Sequence, residues 1–194
     1  MKRPCPVRLF RLSLNNPMKY IDTLKNLQRK KLTKVFSLKE QVQVDCPGGF
    51  FVKALPTTES AVLLASYFRV LDPLQIDLHA TVLYTKQTAV DVILPKIDKH
   101  SRYSAIGKEL LYWESNDGNI VLKLDSPDLV ALHQQFKDAG LVPSFPEYIP
   151  HVTLIHPCEY NHYQHLMNDL SSRLSSAPLS LEFYYGGYTI METT

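Results

Sequence analysis

Apolar and polar residues change rhythm several times along the chain, and each rhythm predicts an element. In PMKYIDTLKNLQRKKL the apolar positions Met18, Ile21, Leu24 and Leu27 recur at helical spacing, which predicts an amphipathic helix. Pro47-Gly48-Gly49 breaks the chain, and Phe50 to Leu55 then reads as a strand. Thr57-Thr58-Glu59-Ser60 offers a capped start to a helix through Ala61, Leu64, Ala65 and Phe68. Residues 86–101, with Pro95 and several charges, predict an irregular crossing. Ser104 to Trp113 and Asn119 to Leu124 predict a hairpin, with the positive-φ residue of its turn supplied by Ser115-Asn116-Asp117-Gly118. Asp125-Ser126-Pro127 opens a helix that runs to Ala139 and stops at Gly140. A final helix from about Tyr160 to Leu174 precedes a strand from Leu179 to Tyr185. Gly186-Gly187 is expected to separate that strand from a last one ending at Met191.

Two further segments, LQIDLHATVLYT and EYIPHVTLIHP, alternate with period two and share a tetrapeptide pattern. Strand side chains point alternately to opposite faces, so His79 and Thr81 share one face and Ala80, Val82 and Tyr84 the other. Likewise His151 and Thr153 oppose Val152 and Leu154. Each strand thus has one face built for a core and one for polar work. Two such strands side by side present two imidazoles and two hydroxyls to one point, which is equipment for phosphodiester chemistry without a metal.

Composition narrows the setting. The chain has 194 residues, 45% hydrophobic and 21% charged, with a net charge of +2, which fits a globular body able to bury a core. That charge offers little general attraction for a long nucleic acid, although the N-terminal region is basic, with Arg3, Arg8, Arg11, Lys19, Lys25 and Arg29-Lys30-Lys31. The expected division is a basic, helix-bearing extension over 1–45 and a main domain over 46–194. Nothing approaches the apolar length of a membrane span, and MKRPCPVRLFRLSLNNP lacks a signal peptide's apolar stretch, so a cytoplasmic location is expected. Cys5, Cys46 and Cys158 are scattered without CxxC spacing, and no cofactor or metal is implied. His156, His162 and His165 fall at a strand end and on a polar helix face, where exposed histidine is the better reading.

HATV and HVTL, the strand GGFFVKALP before a helix, and the spacing of the motifs resemble the 2H phosphoesterase superfamily, which carries two His-x-Thr/Ser motifs. The resemblance covers roughly Gly49 to Ile190. It implies an α+β, bilobed fold, two antiparallel sheet lobes with outer helices facing one another across a central cleft. Within that superfamily, the stretch from IGKELLYW through LKLDSPDLV to PEYIPHVTL is most similar to phage anti-CBASS proteins, which destroy the cyclic oligonucleotides that bacteria use as antiviral alarm signals. The resemblance also implies an acidic residue on the C-terminal strands that orients a histidine or a base, with Glu182 preferred to Glu192.

The chemistry follows from the residue types. Breaking a phosphodiester requires a base at the attacking oxygen and an acid at the leaving oxygen, and two histidines with ordinary pKa near 6.5 can hold opposite protonation states. Nothing in the sequence assigns either role to His79 or to His151. Thr81 and Thr153 would hold the nonbridging oxygens. Trp113 is the sole tryptophan and is a candidate to stack on a base, with partial packing as the equal alternative. Phe51, Tyr184, Tyr185 and Tyr188 are the other aromatic candidates for the same cleft. The leading expectation is a metal-independent phosphodiesterase acting on 3′–5′ bonds of cyclic di- or trinucleotides. The alternatives are hydrolysis of RNA 2′,3′-cyclic phosphates or 2′–5′ linkages, or a module that sequesters nucleotides without cleaving them.

Overall fold

The computed structural model describes residues 42–68, 77–114, 118–155 and 160–192. The helix expected around Met18 to Leu27 lies outside these, as do Ser115 to Asp117 of the hairpin turn. The fold is mixed α+β. Strands β1 (Gln43–Cys46) and β2 (Phe50–Pro56) lead to helix α1 (Thr58–Tyr67), followed by β3 (Ala80–Thr85), β4 (Ala89–Ile93), β5 (Arg102–Trp113) and β6 (Asn119–Asp125). Helix α2 (Pro127–Asp138), β7 (His151–Ile155), α3 (Tyr160–Ser176) and β8 (Leu179–Ile190) complete the order.

Six strands close into a ring, β2-β3-β7-β6-β5-β8, and β1 pairs with β4 in a separate two-stranded sheet. All the pairings are antiparallel. The two sheets anticipated as facing lobes are therefore joined: both motif strands, β3 and β7, are neighbours in one ring, meeting at Ala80↔Val152. One face of the ring carries the core. Helix α2 sets Phe136 against Phe50 and Tyr185, and Leu129, Leu132, Leu170 and Leu174 are buried with them. The opposite parity of each strand is turned away from this helical layer.

Capping fixes the helix starts as the sequence predicts. Thr57 Oγ1 accepts from Ser60 N at the head of α1. Ser126 Oγ accepts from Leu129 N at the head of α2 and donates to Ser104 O at 2.6 Å, which ties that helix to β5.

Three expectations need correction. The irregular crossing over 86–101 contains β4, which forms because β1 offers it a partner and because Asp91, at φ 56°, is held through its N–H by Asp45 and through its carboxylate by Gln43. Gly186-Gly187 does not divide two strands; β8 runs through to Ile190. Val52 and Ala54 of β2 face Tyr188 and Tyr185, so β8 carries one extra residue there, and Gly187 at φ 98° absorbs the bulge. A bulge in β3 likewise places Leu83 opposite Val52 and Thr81 opposite Lys53. It turns Tyr84 out of the expected core parity and onto the face of Phe51 and Thr81.

Candidate active site

The four motif residues meet through backbone register. Ala80 and Val152, both fully buried, form the seam between β3 and β7. Carrying that antiparallel register one residue in each direction sets His79 across from Thr153 and Thr81 across from His151. Each half-site thus presents its histidine to the other half's threonine, all four half-buried on the face away from the core.

The two imidazoles are held alike. His79 Nδ1 lies 2.7 Å from Asp77 O, and His151 Nδ1 lies 2.7 Å from Ile149 O. A carbonyl only accepts, so each Nδ1 carries the hydrogen and each neutral ring keeps Nε2 as a lone-pair base. Burial pushes both pKa values below the ordinary histidine value, and this outweighs the opposing effect of the carbonyl bonds. The charge of His79 lowers His151 further, which disfavours a state with both rings protonated.

Two of the predicted aromatics sit directly on these rings. Phe51 meets His79 edge-on, with centroids 5.7 Å apart, and Trp113 meets His151 at 4.4 Å and 64°. Both aromatics are half-buried. Tyr84, which strand parity alone misplaces, extends the Phe51 side and stacks on the exposed Phe145 at 6.3 Å.

The remaining candidates divide. Tyr185 is 1% exposed and packs in the core beside Phe136, so its neighbour Tyr184 is the half-buried residue of the opposite parity, with Arg102 lying over its ring. Glu182 shares the parity of Tyr184 and is exposed; its backbone N–H donates to Ser60 Oγ. Glu192 is exposed beyond the end of β8, and Tyr188 stacks on Phe50 at 5.1 Å. His165 is exposed on α3, while His156 and the side chain of His162 lie outside the described residues.

Sequence reasoning passed over a brace behind the site. Buried His133 of α2 donates from Nδ1 to Val82 O, one residue past Thr81, and stacks face to face on Tyr148 at 4.1 Å and 4°. Tyr148 immediately precedes Ile149, whose carbonyl fixes His151. One helix thus steadies both motif strands. Also unrecognised were Lys53 and Lys123, the cross-strand partners of Thr81 and His151. Their only sequence signal is a lysine on the polar parity of an otherwise apolar strand.

Among the described residues no three His, Cys, Asp or Glu side chains cluster as a metal site, and no helix is long and apolar enough to cross a membrane. The arrangement can take a proton at one Nε2 and deliver one from the other, with two threonines on the same face. A family model described as "Anti-CBASS protein Acb1" matches residues 49–176 of the chain. The anti-CBASS protein Acb1 of Vibrio phage KVP40 is 33% identical over 99 residues, spanning 50% of this chain and 62% of that protein.

Proposed function

Because the chain belongs to the anti-CBASS protein Acb1 family, we propose that it is a phosphodiesterase that opens 3′–5′ bonds of cyclic di- or trinucleotide messengers and so blocks CBASS signalling in the host cytoplasm. We read the ring as a 2H phosphoesterase-like arrangement with one motif strand in each half. The observation that carries the proposal is the Ala80↔Val152 pairing of β3 and β7, whose register, extended one residue each way, brings His79 and Thr81 beside His151 and Thr153.

A phosphate centred on these four groups has an Nε2 on either side. The neutral imidazole takes the proton of the attacking oxygen, a ribose 2′-hydroxyl or water, as the new P–O bond forms. The protonated imidazole gives its proton to the leaving 5′ oxygen as that bond breaks. Thr81 and Thr153 donate to the nonbridging oxygens, where charge builds up in the transition state. Acid, base and hydroxyl donors account for every proton moved, so the proposed reaction needs no metal. Phe51 and Trp113 provide π-faces beside the phosphate for nucleobases.

The test is turnover of cyclic GMP-AMP, cyclic tri-AMP, a 2′,3′-cyclic-phosphate RNA and a 2′–5′ dinucleotide in the presence of a chelator. Ring opening of a cyclic oligonucleotide is the expected result. Preference for either RNA substrate redirects the reading to RNA processing, tight binding without product redirects it to sequestration, and a requirement for added metal overturns the mechanism.

A further inference from the structure

In the ring the two motif strands β3 and β7 are flanked by β2 and β6, and each of these places a lysine beside the site. Lys53 of β2 is the direct cross-strand partner of Thr81, and Lys123 of β6 is the partner of His151. Directly opposed residues in an antiparallel pair share a face, with Cβ atoms about 5 Å apart. Leu122 and Val152, the adjoining pair, are both fully buried, which confirms that Lys123 and His151 occupy the opposite face. The two lysines therefore stand on strands that flank the His/Thr centre from opposite sides.

We propose that Lys53 and Lys123 form an outer subsite for phosphates that are not being cleaved, and that this subsite selects a ring of two or more phosphodiesters over a mononucleotide cyclic phosphate. The inference rests on the phosphodiesterase reading above. A single phosphodiester carries one negative charge, already met by a protonated imidazole and two hydroxyls. Two further cations on the same face exceed what that group needs and match further anionic linkages, one on either side of the cleaved one.

The lysines are held ready. Lys53 Nζ lies 3.3 Å from Asp77, whose carboxylate is also 4.0 Å from His79 Nδ1, and Lys123 Nζ lies 3.4 Å from Glu109. Lys53 is the more enclosed, its side chain 23% exposed against 47% for Lys123. Solvent-accessible pairs of this kind contribute little, so a phosphate can replace either carboxylate at small cost. Asp77 and Glu109 then partner the two ammonium groups when no ligand is bound.

The experiment is equilibrium binding of cyclic tri-AMP and of 2′,3′-cyclic AMP to the full chain in a His79→Ala background, with Lys53→Met, Lys123→Met and the double variant. Each lysine substitution should weaken cyclic tri-AMP, which has an uncleaved phosphate for either side, about 10-fold and reduce the slope of log Kd against log salt by about one, leaving 2′,3′-cyclic AMP within twofold. Lys→Arg variants should restore most of the affinity, and thermal melts report whether each variant is folded. Unchanged cyclic tri-AMP affinity in the folded variants overturns the proposal, as does equal weakening of both ligands, which would place the lysines on the scissile phosphate. Failure of the wild-type chain to cleave any cyclic oligonucleotide would sink the phosphodiesterase reading instead, and the binding comparison still decides the lysine subsite.

Discussion

The ring of Trp113 meets the imidazole of His151 with centroids 4.4 Å apart, so one aromatic both shelters a histidine and borders the space beside it. These roles separate experimentally. Trp113→Ala should raise KM about 10-fold through loss of stacking, and by exposing His151 should move its pKa back up toward the ordinary value. Trp113→Phe should keep most of both effects. Steady-state kinetics combined with an NMR titration of His151 checks this; a raised KM with no change in the titration would mean that Trp113 only binds.

Removing either histidine should cost far more. His79→Ala and His151→Ala are each expected to lower kcat by about 10²–10⁴, the usual contribution of a positioned acid or base. Thr81→Val and Thr153→Val should lower it by roughly 10²–10³, with smaller changes in KM, because the hydroxyls act on charge that develops in the transition state. Full activity in either histidine variant would contradict the paired mechanism.

The pH dependence has a defined direction. Both histidines have lowered pKa values, so the acid loses its proton at a lower pH than a free imidazole would. The profile of kcat/KM should be bell-shaped, with its alkaline limb falling on the acid side of about 6.5. In His79→Ala the pKa of His151 should rise, since the neighbouring charge is gone. An alkaline limb above 7.5 would count against two sheltered imidazoles.

Stability should also decline on acidification. Burial lowers the pKa of His133, so between its folded and unfolded values the unfolded chain binds the extra proton. Its contribution is complete above about 6.5 and is lost as pH falls through the folded value. His79 and His151 act in the same sense. Thermal melts at pH 7.5 and 5.5 should show a lower Tm at the acid value, and His133→Gln should reduce that difference.

Gly49 offers a test of the fold itself. It has φ 116°, and a Cβ built there would stand 2.1 Å from Thr85 O. Gly49→Ala should destabilise the chain by about 1–3 kcal/mol, read as a lower denaturation midpoint. An unchanged midpoint would show that the entry to β2 can rearrange freely.

Local pattern disclosed the motif faces, because alternation around His79 and His151 is a property of each strand alone. The caps at Thr57 and Ser126 were legible for the same reason. What escaped depends on the partner strand. Tyr84 changes face because β3 is one residue longer than its match on β2, and Lys53 and Lys123 acquire meaning only once the register is known. Tyr185 shows a different failure: Leu179, Leu181, Phe183 and Tyr185 form an unbroken apolar parity that already assigns it to the core.

The carbonyl clamps on the two histidines have one more consequence. Each clamp is built from the chain two residues upstream of its own ring, so a half-site carries its own proton chemistry wherever it is placed. Alignment of the two rings instead belongs to the junction at Ala80 and Val152. Substitutions that alter the junction should thus spoil concerted transfer while leaving each imidazole individually competent, a division of labour between tuning and aiming.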